Sequence, residues 1–438
     1  MHLYLALTLQ VLWTGVCQAA MQHYPATWGH YDVCKSQVYS DEGLTWDYMA
    51  CQPEAADMTK YLKVMLDPPN ITCGNPPETY CALENPYMCN NECDASTEEL
   101  AHPPELMFDI EGRNPTTFWQ STSWKRYPKA LLVNITLSWN KTIELTDDIV
   151  LTFESGRPEQ MVLEKSLDYG RTWQPYQFYA TDCLDAFTME PKTVQDLTQH
   201  TLLDIICTED YSRGYVWKYD KTVRFEIKDR FALFAGPRLH NMASLYGQLD
   251  TTKNLRDFFT ITDLRIRLLR PATGATMVDE NNLSRYFYAI SDIKVQGRCK
   301  CNLHANSCVF DKEKLSCECE HNTTGPDCGR CKRNYQGRAW SAGSYLPIPK
   351  GTANICIPNN IGPVTRVCDN ELMRCQNGGV CISNVRCNCP SAYTGLLCEK
   401  PRCESGLGGC RGADSGQPPL RPPSSFGPLL LLLGSALL

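Results

Sequence analysis

Val133-Asn-Ile-Thr-Leu-Ser-Trp-Asn-Lys-Thr-Ile-Glu-Leu145 is the stretch that decides the fold. Val133, Ile135, Leu137, Trp139, Ile143 and Leu145 fall on one face of an extended chain, and Asn134, Thr136, Ser138, Asn140, Thr142 and Glu144 on the other. A period of two residues is the signature of a strand with one face buried and one wet. The sequons Asn134-Ile-Thr and Asn140-Lys-Thr put both asparagines on the polar face, and a glycan tolerates only an exposed face. Strand-like runs at residues 149–153, 223–227, 264–269 and 287–295 surround this one, and helical character is confined mainly to residues 242–258. The pattern predicts a mostly β first domain, a two-sheet antiparallel β-sandwich with long loops. Further sequons at Asn70, Asn282 and Asn322 lie in polar surroundings, whereas Asn114 is excluded by Pro115.

At 438 residues the chain is too long for one core. Its net charge of -7 and lack of a Lys/Arg run argue against nucleic acid as a partner. The 25 cysteines point to an oxidising compartment. Residues 3–16 are mostly apolar and lead into Cys17-Gln-Ala-Ala20, the pattern of a signal peptide spanning residues 1–19 with cleavage near Ala19. Cleavage removes Cys17 and leaves 24 cysteines, an even number that can all pair.

The other end carries a second processing signal. The tail 429–438 is Leu-rich but shorter than the about 20 apolar residues a membrane span needs. Before it stand a spacer with Pro418, Pro419, Pro422 and Pro423 and the small residues 412–416. Small site, spacer and short apolar tail form a glycosylphosphatidylinositol (GPI) anchor signal. Ala413 is the expected attachment residue, with Gly412 and Ser415 as alternatives and residues 414–438 removed.

Cysteine density divides what remains. Cys34, Cys51, Cys73, Cys93, Cys81, Cys89, Cys183 and Cys207 are spread over residues 20–298, which leaves room for a hydrophobic core, and all are assigned to disulfides. Eight more crowd into residues 299–358 and six into residues 365–399; Cys403 and Cys410, in a short stalk at 400–413, most simply pair with each other. Modules this small bury too little apolar surface and depend on cross-links.

The order Cys299-Lys-Cys301, Cys308, Cys317-Glu-Cys319, Cys328-Gly-Arg-Cys331, Cys356, with His321-Asn-Thr-Thr-Gly-Pro-Asp-Cys328, resembles a laminin-type EGF module. That resemblance implies the pairs Cys299–Cys308, Cys301–Cys317, Cys319–Cys328 and Cys331–Cys356. Zinc at Cys328 and Cys331 is the competing reading, and an oxidising route removes the thiolates it needs. Cys375-Gln-Asn-Gly-Gly-Val-Cys381 and Tyr393-Thr-Gly395 resemble an ordinary EGF module, which implies Cys368–Cys381, Cys375–Cys387 and Cys389–Cys398. No acidic residue precedes Cys368, so calcium is not expected there.

Pro103-Pro-Glu-Leu-Met-Phe-Asp109, Thr117-Phe-Trp-Gln-Ser121, Lys165-Ser-Leu-Asp-Tyr-Gly-Arg-Thr-Trp173, Phe231-Ala-Leu-Phe-Ala-Gly236 and Tyr286-Phe-Tyr-Ala-Ile-Ser-Asp-Ile293 resemble the laminin N-terminal domain, a jelly-roll-like sandwich. With the EGF-type modules, the anchor signal and Asn90-Asn-Glu-Cys-Asp-Ala-Ser96, the whole is similar to the netrin-G subfamily. One complete laminin-type module, where longer forms have more, suggests a shortened stalk. The resemblance implies an anchored neuronal adhesion protein on the outer face of the plasma membrane. It would bind a leucine-rich-repeat transmembrane receptor, a netrin-G ligand, across the synapse and guide neurite outgrowth.

The resemblance places recognition on three loops. The first holds Cys81, Glu84, Asn85, Pro86, Tyr87, Met88, Cys89, Asn90, Asn91 and Glu92, tightened by a Cys81–Cys89 pair so that little ordering entropy is left to lose. The second holds Glu209, Asp210, Tyr211, Ser212, Arg213, Gly214 and Tyr215, with Trp217 following; Tyr, Arg and Trp are types enriched at interface hot spots. The third is a turn near residues 273–277 with Ala275, Thr276 and Met277. The resemblance also implies one structural calcium held by Asp109, Thr117, Ser291 and the carbonyl of Phe108, an oxygen shell of the kind calcium prefers. A soluble matrix protein that modulates laminin networks is the alternative function. No hydrolase, zinc-protease or phosphate-loop motif is present, and His102, His200 and His240 are isolated, so no enzyme is expected.

Overall fold

The alternation of residues 133–145 runs on to Phe153, so residues 149–153, expected as a separate strand, end one strand of 21 residues. The structure, a computed structural model, describes residues 34–40, 43–81, 88–110, 112–212, 221–235, 242–274, 277–346, 352–359, 375–382, 386–394 and 397–401. The signal peptide, Cys368, Cys403, Cys410, Ala413 and the Leu-rich tail lie outside them. The strands of the first domain are β1 (Lys35–Ser40), β2 (Gly43–Tyr48), β3 (Ala56–Asp57), β4 (Lys63–Asp67), β5 (Glu78–Tyr80), β6 (Asn91–Cys93) and β7 (Trp119–Gln120). The long strand β8 (Val133–Phe153) follows, then β9 (Gln160–Ser166), β10 (Gln174–Ala180), β11 (Cys207–Thr208), β12 (Thr222–Phe225), β13 (Thr260–Arg270) and β14 (Ala289–Cys299).

Fully extended, β8 would span about 70 Å, yet both its ends adjoin the segment that leads into β14. The hydroxyl of Tyr288, just before β14, donates to the carbonyl of Leu131, just before β8, at 2.9 Å. Ile290 of β14 in turn pairs with Phe153, the last residue of β8. Bulges make the bend. Opposite β13 the register steps from Ile261↔Ile143 to Asp263↔Ser138, and opposite β14 from Val295↔Ile149 to Gly297↔Leu145. The surplus residues lie on β8, where Asn140 takes a φ of 50°, and extra residues on one strand of a pair bend it.

The first half of β8 therefore lies between β4 and β13, and the second between β12 and β14. The hydrogen-bonded order β11-β10-β9-β13-β8-β14-β3 is one continuous path folded into two layers. Tyr176 of β10 packs on Phe225 of β12 with centroids 4.1 Å apart, although these strands are not ladder neighbours. The Tyr179 hydroxyl donates across the same gap to the Arg224 carbonyl at 2.9 Å. The sandwich is thus present, with its two expected sheets joined through β8; pairing is antiparallel except where short β11 runs parallel to β10. Val133, Ile135, Leu137, Trp139, Ile143 and Leu145 are at most 2% exposed, as their alternation requires.

Two local expectations change. The strand expected at residues 223–227 stops at Phe225, and Ile227–Ala235 is a helix. Ile227, Phe231 and Phe234 recur at helical spacing there, a signal hidden behind the β-branched run that precedes it. The helical region at 242–258 is two helices, Met242–Thr251 and Lys253–Phe258.

The core does not stop at Cys299. Cys299, Cys301, Ala305, Leu315, Cys317 and Cys328 of the first module belong to the same apolar cluster as β8 and β14. Lys141, on the core face of β8 and 1% exposed, reaches into the module to pair with Asp327 and donates to the Lys300 carbonyl at 2.9 Å. Burial lowers its pKa, against the pull of Asp327. The Thr142 hydroxyl donates to the other Asp327 oxygen at 2.9 Å. The β1–β2 hairpin, bounded by the Cys34–Cys51 disulfide, also leans on this module: Cys51 N–H donates to the Leu303 carbonyl at 3.1 Å.

Cys73–Cys93, Cys81–Cys89 and Cys183–Cys207 are the other first-domain disulfides. The first module holds Cys299–Cys308, Cys301–Cys317, Cys319–Cys328 and Cys331–Cys356, the four pairs its resemblance implied. A second compact unit begins at Val364. Its hairpins pair Val380–Ile382 with Arg386–Asn388 and Tyr393–Thr394 with Lys400–Pro401, and Cys375–Cys387 and Cys389–Cys398 cross-link it. Cys381 is disulfide-bonded, while Cys368, its expected partner, is outside the described residues.

A Cβ on Gly297 would lie 2.8 Å from the Glu144 carbonyl oxygen and 3.0 Å from Ile143 Cγ2, where β14 passes the bulged β8. Gly297→Ala is expected to cost about 1–3 kcal/mol, read as a lower urea midpoint with an unchanged m-value.

Candidate recognition face

The first loop rises from the β5–β6 hairpin, in which Tyr80 faces Asn91. Its stem is fixed at several points. Cys73–Cys93 ties β6 to the chain before β5, and Tyr80 packs edge-on against Phe287 at 5.3 Å. Glu78, 8% exposed, accepts from the Ser123 N–H at 3.3 Å and pairs with Lys125. Cys81 N–H donates to the Ser284 carbonyl at 3.3 Å. The sulfurs of Cys89 and Cys81 lie 3.4 and 3.6 Å from Oδ1 of Asn282, a contact without a hydrogen bond, since disulfide sulfur has no proton. Met88 is 55% exposed, and Asn90, Asn91 and Glu92 are exposed. Glu84, Asn85, Pro86 and Tyr87 lie outside the described residues.

The second loop turns inward where it is described. The buried Glu209 accepts from Cys183 N–H at 3.0 Å, at the start of the helix Cys183–Phe187. Asp210 N–H donates to Thr208 Oγ1 at 3.3 Å, and the buried Ser212 donates its N–H to the Glu209 carbonyl at 3.2 Å. Tyr211, expected as a displayed anchor, is half-buried: its hydroxyl donates to Glu226 and its ring faces Tyr179 with centroids 6.0 Å apart. Burial raises the pKa of both Tyr211 and Glu226. Arg213, Gly214, Tyr215 and Trp217 are outside the described residues.

The third turn is anchored by Glu159, which accepts from Thr273 N–H at 2.9 Å and from its hydroxyl, and pairs with Arg270 Nε at 2.8 Å. Gly274 has a φ of +74°, a conformation that costs glycine little. Met277 is 94% exposed, while Ala275 and Thr276 are outside the described residues. Thr181 N–H donates to the Glu159 carbonyl at 3.0 Å, which joins this turn to the Cys183–Glu209 contact of the second loop. The chain then runs through Asp279 to Leu283–Arg285, beneath the first loop. The described parts of all three loops thus share one rim, the end where β8 begins and ends, opposite Cys299.

Of the expected calcium ligands, Asp109 and Thr117 are in contact: the Thr117 hydroxyl donates to Asp109 Oδ2 at 2.7 Å, with Arg113 Nη1 3.5 Å from the same oxygen. Phe108 ends the 3-10 turn Pro104–Met107, so its carbonyl adjoins Asp109. Ser291 follows Ile290, which pairs with Trp119 two residues beyond Thr117, but its hydroxyl is turned to the Thr152 carbonyl at 3.4 Å. The Asp109 side chain is 18% exposed, and a mostly covered carboxylate with hydroxyl and carbonyl oxygens is a donor set calcium accepts.

A family model described as Laminin N-terminal (Domain VI) matches residues 51–297, and one described as Laminin EGF domain matches residues 299–344. Netrin-G1 of Homo sapiens is 59% identical over 538 aligned positions, covering 100% of this chain and 98% of that protein. Netrin-G2 of Homo sapiens is 46% identical over 93% of this chain and 96% of its own length. The chain belongs to the netrin-G family. The 538-position alignment outruns the 438 residues of this netrin-G chain, so netrin-G1 carries sequence that it lacks. Laminin subunit gamma-1 of Danio rerio is 31% identical over 75% of the netrin-G chain and 20% of its own length. Among solved structures, the C-terminal domain of a Bacteroides fragilis chitobiase reaches a TM-score of 0.25 at 13% identity over 56% of this chain and 99% of its own, too little to carry an argument.

The sequons of this netrin-G chain occupy different settings. Asn70 and Asn140 are exposed; Asn134 and Asn322 are half-buried and donate their amides to Asp67 and to the Cys356 carbonyl, both at 3.1 Å. Asn282 stands against the first-loop disulfide. The rim also carries Leu184, 57% exposed on the short helix Cys183–Phe187, which sequence reading passed over. Its signal is the Asp182 N-cap, which starts a helix immediately after a strand and turns the next apolar side chain outward.

Glu159→Ala should cost about 2 kcal/mol, since a charged acceptor of two hydrogen bonds is lost. Limited proteolysis should show faster cutting at residues 273–277 while the disulfides stay intact.

Proposed function

We propose that this netrin-G chain is a GPI-anchored adhesion protein of the axonal surface. It binds a leucine-rich-repeat transmembrane receptor of the netrin-G ligand kind in trans, through the rim of its first domain. The observation that carries the reading is the first loop: closed by Cys81–Cys89, seated on Ser284 and offering exposed Met88, it lies at the end of the domain opposite the module. A pre-organised loop binds with little ordering cost. Among the described residues no helix is long and apolar enough to cross a membrane, and the anchor signal at Ala413 supplies the attachment in this reading. Neither the laminin-type domains nor the loop chemistry calls for catalysis.

The receptor test uses cells displaying the full chain and a soluble receptor ectodomain. Tyr87→Ala combined with Met88→Ala should weaken binding roughly tenfold or more, about 1.4 kcal/mol, with surface display unchanged; undiminished binding would sink the loop assignment. Phosphatidylinositol-specific phospholipase C should release the protein from the cells. If it is found only in the medium, the matrix reading leads. The 31% identity to laminin gamma-1 favours that second reading, which co-sedimentation with assembling laminin would test.

We further infer that Asp109, Thr117, Ser291 and the Phe108 carbonyl hold one structural calcium, which fixes the segment after Met107. Added calcium should raise the melting temperature over EDTA, and Asp109→Ala should abolish that increment.

A further inference from the structure

His304 and His321 are both buried, at 0% and 3% exposure, where the Cys34–Cys51 hairpin meets the first module. Their Nδ1 atoms are 3.0 Å apart. Each outer nitrogen faces a backbone carbonyl: His304 Nε2 meets the Ser341 oxygen at 2.9 Å and His321 Nε2 meets the Cys34 oxygen at 3.4 Å. The hairpin is seated by the same residues, because Cys51 bridges His304 and Tyr48 stands edge-on to His321 with centroids 5.7 Å apart. The Cys34 and Cys51 sulfurs lie beside His321 but are bonded to each other, so they are not thiolate ligands for a metal.

Proton counting gives this pair its property. Carbonyl oxygens only accept, so His304 Nε2 carries a hydrogen, and its Nδ1, if the ring is neutral, accepts from His321 Nδ1–H. With both rings neutral the pair holds two hydrogens, and His321 Nε2 stands bare 3.4 Å from the Cys34 oxygen. A third hydrogen, on that nitrogen, makes His321 a buried cation. A fourth sets one N–H against another across 3.0 Å, between two cations.

We propose that the His304–His321 pair is an acid-sensitive latch that holds the Cys34–Cys51 hairpin on the first module and opens when both rings are protonated. The charged groups around it oppose protonation, while the backbone contacts to Ser341, Cys34 and Met49 favour it. Lys35 of the hairpin and Arg338 of the module are cations that act on His321 and His304, while Tyr48 and Trp340 present neutral rings. Glu320 is exposed and meets His304 only through its backbone N–H, which donates to the His304 carbonyl at 2.7 Å. Burial is the leading cause that lowers both imidazoles, His321 to about 4. An unfolded histidine gains its proton near about pH 6.5. Below that pH the open form binds more protons than the closed one, so the latch is fully stabilising above about pH 6.5 and loses strength as pH falls towards about 4.

Hydrogen–deuterium exchange on the secreted ectodomain, corrected for intrinsic rates, tests this at about pH 7.4 and about pH 4.5. Protection of residues 34–51 is expected to fall roughly tenfold or more at the lower pH, while residues 133–137 of β8 keep theirs. His304→Gln and His321→Gln should each remove the difference between the two pH values. In the unaltered ectodomain, ring-proton NMR should find both histidines titrating below the range of a free imidazole. Hairpin protection independent of pH, a loss that persists in both variants, or rings titrating above about pH 6.5 would each overturn the latch.

Discussion

A strand that belongs to two sheets has to bend, and the rest of this molecule is arranged around the bend in β8. Its surplus residues at 139–142 and 146–148 gather at one end of the sandwich, and its two termini at the other. The bent end needs a neighbour without side chain, which Gly297 supplies, and it is the end from which the first module grows. The opposite end is left with the connections between strands. The described parts of the loops within 81–93, 207–212 and 271–285 are therefore held on a common rim by the geometry of one strand.

The junction with the module shows how a polar group can specify a docking geometry. Lys141 is wholly buried in an otherwise apolar stripe, and only an oxygen-rich partner makes that position tolerable. Asp327, the Lys300 carbonyl and the Thr142 hydroxyl provide a closed set of hydrogen bonds. A buried ion pair adds little net stability compared with packed hydrocarbon, but losing one partner is costly, so it penalises any other seating of the module. The apolar cluster that passes from β8 into Leu315 and Cys328 supplies the affinity, and the ion pair supplies the register.

The strands were legible where a period of two exposed one face to water, and the sequons at Asn134 and Asn140 marked which face that was. The module disulfides were legible from resemblance, because cysteine order is local and dense there. What escaped was long-range. Lys141 interrupts the apolar face of β8 and reads as a gap, since Asp327 stands 186 positions away. The Tyr211 hydroxyl is turned to Glu226, 15 positions on, a contact that residue type and loop position do not announce. The helix Ile227–Ala235 was masked by the strand that precedes it. No local pattern in residues 34–51 announces that their hairpin packs on His321. The Cys81–Cys89 cross-link was legible through the resemblance.

β14 runs from the rim to Cys299, flanked along its length by β8. A pull that enters through the module and is resisted at the rim acts along the axis of β14, sliding it past β8. Hydrogen bonds loaded in shear share the tension, whereas bonds at a peeled edge break one after another. The cross-links Cys299–Cys308 and Cys301–Cys317 lie at the point where tension enters, beside the Lys141–Asp327 contact. The same bend that collects the loops at one end thus gives the domain a strong mechanical direction, from its rim to its module.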